Sequence, residues 1–164
     1  MISLRPIGVI RTPFSARAGT PIQGALAPDV EGTVEVHEEY LEGLTDVDGF
    51  SHLILLYLFD QSDGYALRVK PYLDPVERGL FATRAPRRPN PIGLTIVRLL
   101  SIEGCRLKVA GVDMLDGTPL LDIKPFVPDF DVRKGVSCGW IDGRRGADGE
   151  LPSVVADGRF GSRR

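Results

Sequence analysis

Short runs in which apolar and polar positions alternate with a period of two dominate the chain. Gly32-Thr-Val-Glu-Val-His37 and Arg106-Leu-Lys-Val-Ala-Gly-Val112 have this pattern, and each predicts a half-buried strand. His52-Leu-Ile-Leu-Leu-Tyr-Leu-Phe59 is almost wholly apolar and bounded by turn signals, which predicts a central strand buried on both faces. Residues 4 to 11 predict a first strand interrupted by Pro6 and Gly8. Residues 77 to 83, 96 to 102 and 120 to 126 predict three more strands, and Glu103-Gly104 marks a hairpin turn. The period changes once. Tyr40, Leu44 and Val47 stand at i, i+4 and i+7, which predicts a short amphipathic helix between Glu38 and Val47, ended by Asp48-Gly49.

Long irregular segments separate these elements. Residues 15 to 31 are rich in Ala, Gly and Pro, and residues 60 to 74 contain Asp63-Gly64 and Pro71 as breakers. Loops of that length in a compact domain are usually functional or disordered. Val69-Lys-Pro-Tyr and Ile123-Lys-Pro-Phe look alike and read as two strand ends using the same device. Seven or eight short strands at hairpin spacing, with one helix, predict a mainly β, single-domain antiparallel or mixed barrel. The barrel is expected over residues 1–141, followed by a polar, basic and partly ordered extension over 142–164.

Composition narrows the setting. The 164 residues are 43% hydrophobic and 26% charged, as in an ordinary water-soluble domain. No apolar run approaches the length of a membrane-spanning helix, and the start of the chain lacks a signal-peptide pattern, so a cytoplasmic location is expected. Cys105 and Cys138 are too sparse for a disulfide framework. A formal net charge of −2 gives no overall electrostatic footprint for nucleic acid, although a local basic patch remains compatible with it.

Candidate chemistry concentrates in Leu80-Phe-Ala-Thr-Arg-Ala-Pro-Arg-Arg-Pro-Asn-Pro-Ile-Gly-Leu94. Pro86, Pro89 and Pro91 fix three φ angles and remove three backbone donors, so strand pairing cannot run through. The stiff connection carries Arg84, Arg87, Arg88 and Asn90, which offer strong anion and hydrogen-bond chemistry. A binding site and a solvated basic turn are both consistent with it. The usual strand-to-helix phosphate loops and the serine-hydrolase elbow are missing from the sequence. His37, His52 and the two cysteines match no zinc spacing, so no metal is expected. The other polar groups at strand ends are Gln23-Gly24, Asp60-Gln61, Asp113, Asp116, Asp122 and Lys124.

Together these motifs carry a resemblance. Ile7-Gly-Val-Ile-Arg-Thr-Pro-Phe14, Pro21-Ile-Gln-Gly24, Gly49-Phe-Ser-His-Leu53, Gly79-Leu-Phe-Ala-Thr-Arg84 with Arg88-Pro-Asn-Pro-Ile-Gly-Leu94, and Asp113-Met-Leu-Asp-Gly-Thr-Pro119 with Leu121-Asp-Ile-Lys-Pro-Phe126 occur in family order. The chain resembles the TrmO-type S-adenosylmethionine-dependent tRNA methyltransferases, and Ala156-Asp-Gly-Arg-Phe160 resembles the ending of short members. The resemblance implies a β-barrel homodimer that N6-methylates threonylcarbamoyladenosine beside the anticodon, at position 37 of tRNA. It implies a cofactor pocket of Gly24, Ala25, Leu26, Asp60, Gln61, Arg84, Leu94, Asp113, Met114, Leu115 and Asp116. Asp60 departs from the histidine of many members.

Asp113 or Asp116 is the candidate cofactor anchor or proton acceptor. Arg87, Arg88, Asn90 and Lys124 are candidate substrate contacts. Arg84 and Arg88 could meet the cofactor carboxylate, the threonyl carboxylate or a phosphate, and Asn90 an adenine edge or its own loop. Two other readings stand beside this one: a non-catalytic barrel binding S-adenosylmethionine or a nucleotide, and a methyltransferase for another small substrate.

Overall fold

The computed structural model describes residues 1–157. Six strands close into an antiparallel barrel. In chain order they are β1 (Gly8–Arg11), β2 (Glu31–Val36), β3 (His52–Leu58), β6 (Ile92–Glu103), β7 (Arg106–Ala110) and β8 (Thr118–Pro125). Around the barrel the order is β1-β2-β7-β6-β3-β8, and β8 closes onto β1. The intervening β4 (Arg68–Val69) and β5 (Arg78–Gly79) form a separate two-stranded ribbon. Closure removes every exposed edge from the main sheet. Every strand pair is antiparallel, so the expected barrel is borne out in its antiparallel form.

Inward positions make one core: Ile10, Val34, Val36, Leu53, Leu55, Tyr57, Val97, Leu107, Val109 and Leu120, joined by Val112 and Met114 just past β7. β2 and β7 alternate as predicted, with Val34, Val36, Leu107 and Val109 turned inward. The β6–β7 hairpin turns at Gly104, whose φ of 59° suits glycine.

Three local expectations are corrected. Residues 38–47 form no α-helix. A 3-10 segment covers Glu38–Leu44 and another covers Val47–Gly49. Gly43 is a poor helix residue, and Asp46 between the two segments adopts φ 68°, which breaks the helical course. Residues 77–83 are not one strand either. Only Arg78–Gly79 pairs, after which Leu80–Ala82 makes a 3-10 turn. The third correction concerns β3, which is fully buried on one face only. Leu53, Leu55 and Tyr57 point inward, while Ile54, Leu56 and Leu58 are half-buried outside.

β6 reverses the usual division of residues. Gly93, Thr95 and Val97 face inward, while Ile92, Leu94 and Ile96 face outward at 41%, 44% and 40% exposure. Beyond β8, the only α-helical turn among the described residues is α1 (Pro128–Asp131), and a 3-10 segment covers Gly139–Arg144. This C-terminal arm returns to the loops. Trp140 Nε1 donates to Ala82 O at 2.8 Å, Arg144 pairs with Asp74 at 2.6 Å, and Val155 bridges to Pro21. Residues 158–164 of the expected basic extension lie outside the described residues.

Candidate active site

A cavity of about 800 Å³ opens at one end of the barrel, a size typical of small-molecule sites. Its floor comes from the end of β3, the start of β6 and the segment after β7: Tyr57, Leu94, Asp113 and Met114. Its walls come from the long loops and the returning arm, including Leu26, Phe59, Phe81 and Trp140. The two long connections are therefore ordered around this space, as loops of that length often are.

Asp113 ties the site together. Its Oδ2 accepts the Gly24 N–H at 2.8 Å and its Oδ1 accepts the Thr95 hydroxyl at 2.5 Å. Because the single Thr95 proton goes to Asp113, the Tyr57 hydroxyl donates to Thr95 Oγ1 at 3.0 Å, with Asp113 Oδ1 at 3.4 Å as its other acceptor. Burial pushes the Asp113 carboxyl up to about 6, and the donors from Thr95, Gly24 and Tyr57 act in the opposite direction. Burial and the neighbouring Asp113 charge push the Tyr57 phenol well above its ordinary value, so it remains a donor at neutral pH.

Two glycines make this geometry possible. A Cβ on Gly24 would lie 1.9 Å from Gly111 O, so only glycine lets the loop approach the barrel and aim its N–H at Asp113. Gly93 stands opposite Tyr57 in the β3–β6 register, and a Cβ there would lie 2.2 Å from the phenol ring. The ring occupies the space above glycine.

Among the expected cofactor residues, Ala25, Leu26, Asp60, Gln61, Arg84, Leu94, Asp113, Met114 and Leu115 line the cavity. Gly24 lies behind this lining and acts through its N–H. Asp116 is exposed outside the lining, and its Oδ1 accepts the Thr12 N–H at 3.1 Å. Arg88 does line the cavity, but its Nη1 donates to Thr83 O at 2.9 Å and Ala85 O at 3.2 Å. Its guanidinium also sits 5.7 Å from the Phe81 ring centroid. Arg87, Asn90 and Lys124 lie outside the lining, and Lys124 pairs with Asp122 at 2.7 Å on β8.

Tyr57, Thr95, Arg17 and Trp140 were not singled out from the sequence. Tyr57 and Thr95 sit inside strand patterns, where a Thr at an inward position is the one signal of a buried polar partner. No cluster of potential metal ligands occurs among the described residues.

A small closed barrel with a loop-walled cavity at one end defines a ligand-binding β-barrel, distinct from the doubly wound folds that bind nucleotides at a sheet switch point. The tRNA-methyltransferase O N-terminal domain matches residues 9–132. A Pyrococcus abyssi relative named "Probable S-adenosyl-L-methionine-binding protein" is 51% identical over 160 residues, covering 98% of this chain and 85% of its own. The Homo sapiens tRNA (adenine(37)-N6)-methyltransferase is 33% identical over 138 residues, covering 80% of this chain and 31% of its own. The crystal structure of TrmO from Pseudomonas aeruginosa superposes with a TM-score of 0.72 at 40% identity, covering 85% of this chain and 62% of that one. The chain thus spans less than two thirds of that TrmO chain. It belongs to the tRNA-methyltransferase O family, a family of S-adenosylmethionine-dependent tRNA (adenine-N6)-methyltransferases.

Proposed function

We propose that this chain binds S-adenosylmethionine in the cavity and methylates N6 of threonylcarbamoyladenosine at position 37 of tRNA. The family match over the barrel and the Asp113-braced cavity support this reading. The cavity suits the cofactor on its own chemistry. It has apolar walls for a nucleoside in Leu26, Phe59 and Leu94, a backbone approach that only Gly24 permits, and arginines for a carboxylate. When bound, the cofactor would supply an activated methyl group on sulfonium.

The protein's part is position and proton handling. The acceptor nitrogen is a weak nucleophile because its lone pair is delocalised, so alignment dominates. Asp113 is the proton acceptor in this reading. With its pKa raised to about 6, it is largely ionised at neutral pH yet more basic than an ordinary carboxylate. Oδ2, held by the Gly24 N–H, is the oxygen offered to the proton in this reading. Tyr57 and Thr95 hold the carboxylate in place. Asp116 braces the turn beside Thr12 and takes no proton in this scheme. A homodimer, implied by the family resemblance, belongs to the same reading. A cytoplasmic setting suits a tRNA substrate, and no helix among the described residues is long and apolar enough to cross a membrane.

Incubating the protein with labelled S-adenosylmethionine and tRNA, with and without the threonylcarbamoyl group, tests the reaction. Label in the modified tRNA alone is the expected result. A second reading, a non-catalytic binder, is favoured by the archaeal relatives named only for S-adenosyl-L-methionine binding. It predicts cofactor binding with no label transferred to either tRNA.

A further inference from the structure

Three arginines, Arg17, Arg84 and Arg88, line the cavity without forming an ion pair among the described residues. Two of the three are occupied by neutral groups that fix the loops. Arg84 Nη1 donates to Gln23 Oε1 at 2.7 Å, which joins the two loops on either side of the cavity. Arg88 is held by the carbonyls of its own turn.

Arg17 differs from both. It is half-buried, lies 5.9 Å from the Phe59 ring centroid, and donates Nη2 to the Ser62 hydroxyl at 2.7 Å. Nη2 keeps its second hydrogen, so it can still act with Nε or with Nη1 in a two-pronged contact. Burial lowers the guanidinium pKa from its ordinary value, Arg87 adds to that, and Tyr72 and Asp60 act in the opposite direction. A partly desolvated guanidinium that donates to a neutral hydroxyl favours an incoming anion of planar geometry. Asp60 lies close enough to act on Arg17 electrostatically and also lines the cavity. Its negative charge disfavours a doubly charged phosphate more than a singly charged carboxylate.

We propose that Arg17 is the carboxylate-recognising residue of the cavity, its guanidinium fork receiving a carboxylate carried by the ligand. The assignment rests on the proposed methyl transfer. That reaction offers two sources of the same chemistry, the amino-acid end of the cofactor and the threonyl group of the modified nucleoside. Arg88, the more conspicuous arginine in the sequence, is a loop brace in this scheme.

Calorimetric titration of the full chain with S-adenosylhomocysteine and with its decarboxylated analogue tests the first source. Wild type is expected to prefer the carboxylate-bearing ligand by about 10- to 100-fold, the range for a charge-assisted contact. Arg17→Gln abolishes that preference. If the carboxylate is the nucleoside's, Arg17→Gln leaves both affinities unchanged and raises KM for threonylcarbamoylated tRNA by about 10- to 100-fold. Arg17→Lys keeps the charge but loses the fork, so it restores only part of the effect and serves as the test if Arg17→Gln fails to fold. Ser62→Ala keeps the carboxylate preference, because the hydroxyl only steadies Arg17.

Equal weakening of both nucleosides by Arg17→Gln with unchanged KM, or no change in either arm, overturns the Arg17 assignment alone. Failure of wild type to bind S-adenosylhomocysteine overturns the cofactor reading, and the Arg17 assignment with it.

Discussion

Replacing Asp113 by Asn separates two opposing effects at the centre of the site. The wild-type carboxyl moves from its ordinary 3.8 to about 6 in the fold. At about 1.4 kcal/mol for each pKa unit, ionised Asp113 makes the folded protein roughly 3 kcal/mol less stable than a neutral group would. The sign follows from proton binding. Between the two values the folded state holds more protons than the unfolded chain, so the stability of the neutral carboxyl is fully present below pH 3.8 and is lost as pH rises through about 6.

Asn carries no charge and removes that loss, but it introduces a mismatch. Gly24, Thr95 and Tyr57 all present donors to the carboxylate, whereas Asn has one oxygen and one NH₂ group. At least one donor then faces another, at a cost of about 1–3 kcal/mol. Asp113→Asn is therefore expected to be less stable than wild type near pH 4. The difference should move in the variant's favour by roughly 3 kcal/mol by pH 7.5 and then level off. Urea melts at a series of pH values, followed by circular dichroism, measure this difference. A pH-independent gap, or a gap that widens against the variant as pH rises, would refute the reasoning and show that the donors outweigh burial.

The remaining predictions probe the supports of the site. Gly93→Ala drives a methyl group into the Tyr57 ring, so it should cost about 1–3 kcal/mol in denaturant melts and weaken S-adenosylhomocysteine binding. A variant with wild-type stability and affinity would show that the ring moves freely. Arg88→Ala leaves the carbonyls of Thr83 and Ala85 without their donor. A loss of about 1–3 kcal/mol in thermal melts is expected, with the preference for a carboxylate-bearing ligand intact. Asp74 is 2% exposed and is held by Arg78 and Arg144. Burial raises its pKa, but the Arg78 and Val76 hydrogen bonds and the two guanidinium charges outweigh that and hold it below its ordinary value. Its contribution is therefore present above pH 3.8 and is lost as pH falls further. Arg144→Ala should lower Tm at neutral pH, narrow the gap to wild type in acid, and shift the emission of Trp140, the only tryptophan in the chain.

Strands were legible where a single face is buried. In β2 and β7 the inward residues are apolar and the outward ones polar, so alternation alone assigns both the element and its face. β6 was legible as a strand but not as to its faces. Ile92, Leu94 and Ile96 would be turned inward by hydrophobicity, yet the crowded barrel end takes Gly93 beneath Tyr57 and Thr95 beside Asp113. Residues 38–47 had helical spacing, but that spacing counts side chains and does not register the left-handed φ at Asp46. Residues 77–83 had suitable strand formers but no long partner to pair with.

Local chemistry established that polar groups stand at strand ends and that three prolines stiffen one loop. The family motifs point to a set of residues that mostly line the cavity, among them Ala25, Leu26, Arg84, Leu94 and Asp113. Only tertiary structure could decide what each polar group does. Gly24 and Asp113 are 89 positions apart, and their hydrogen bond exists because β7 delivers Asp113 to the barrel end where the first loop crosses. The same closure turns Asp116 outward, occupies Arg88 within its own turn and leaves Arg17 facing the cavity. Periodicity and propensity are properties of neighbours along the chain. The partners of a buried charge are set by which distant segments the barrel brings together.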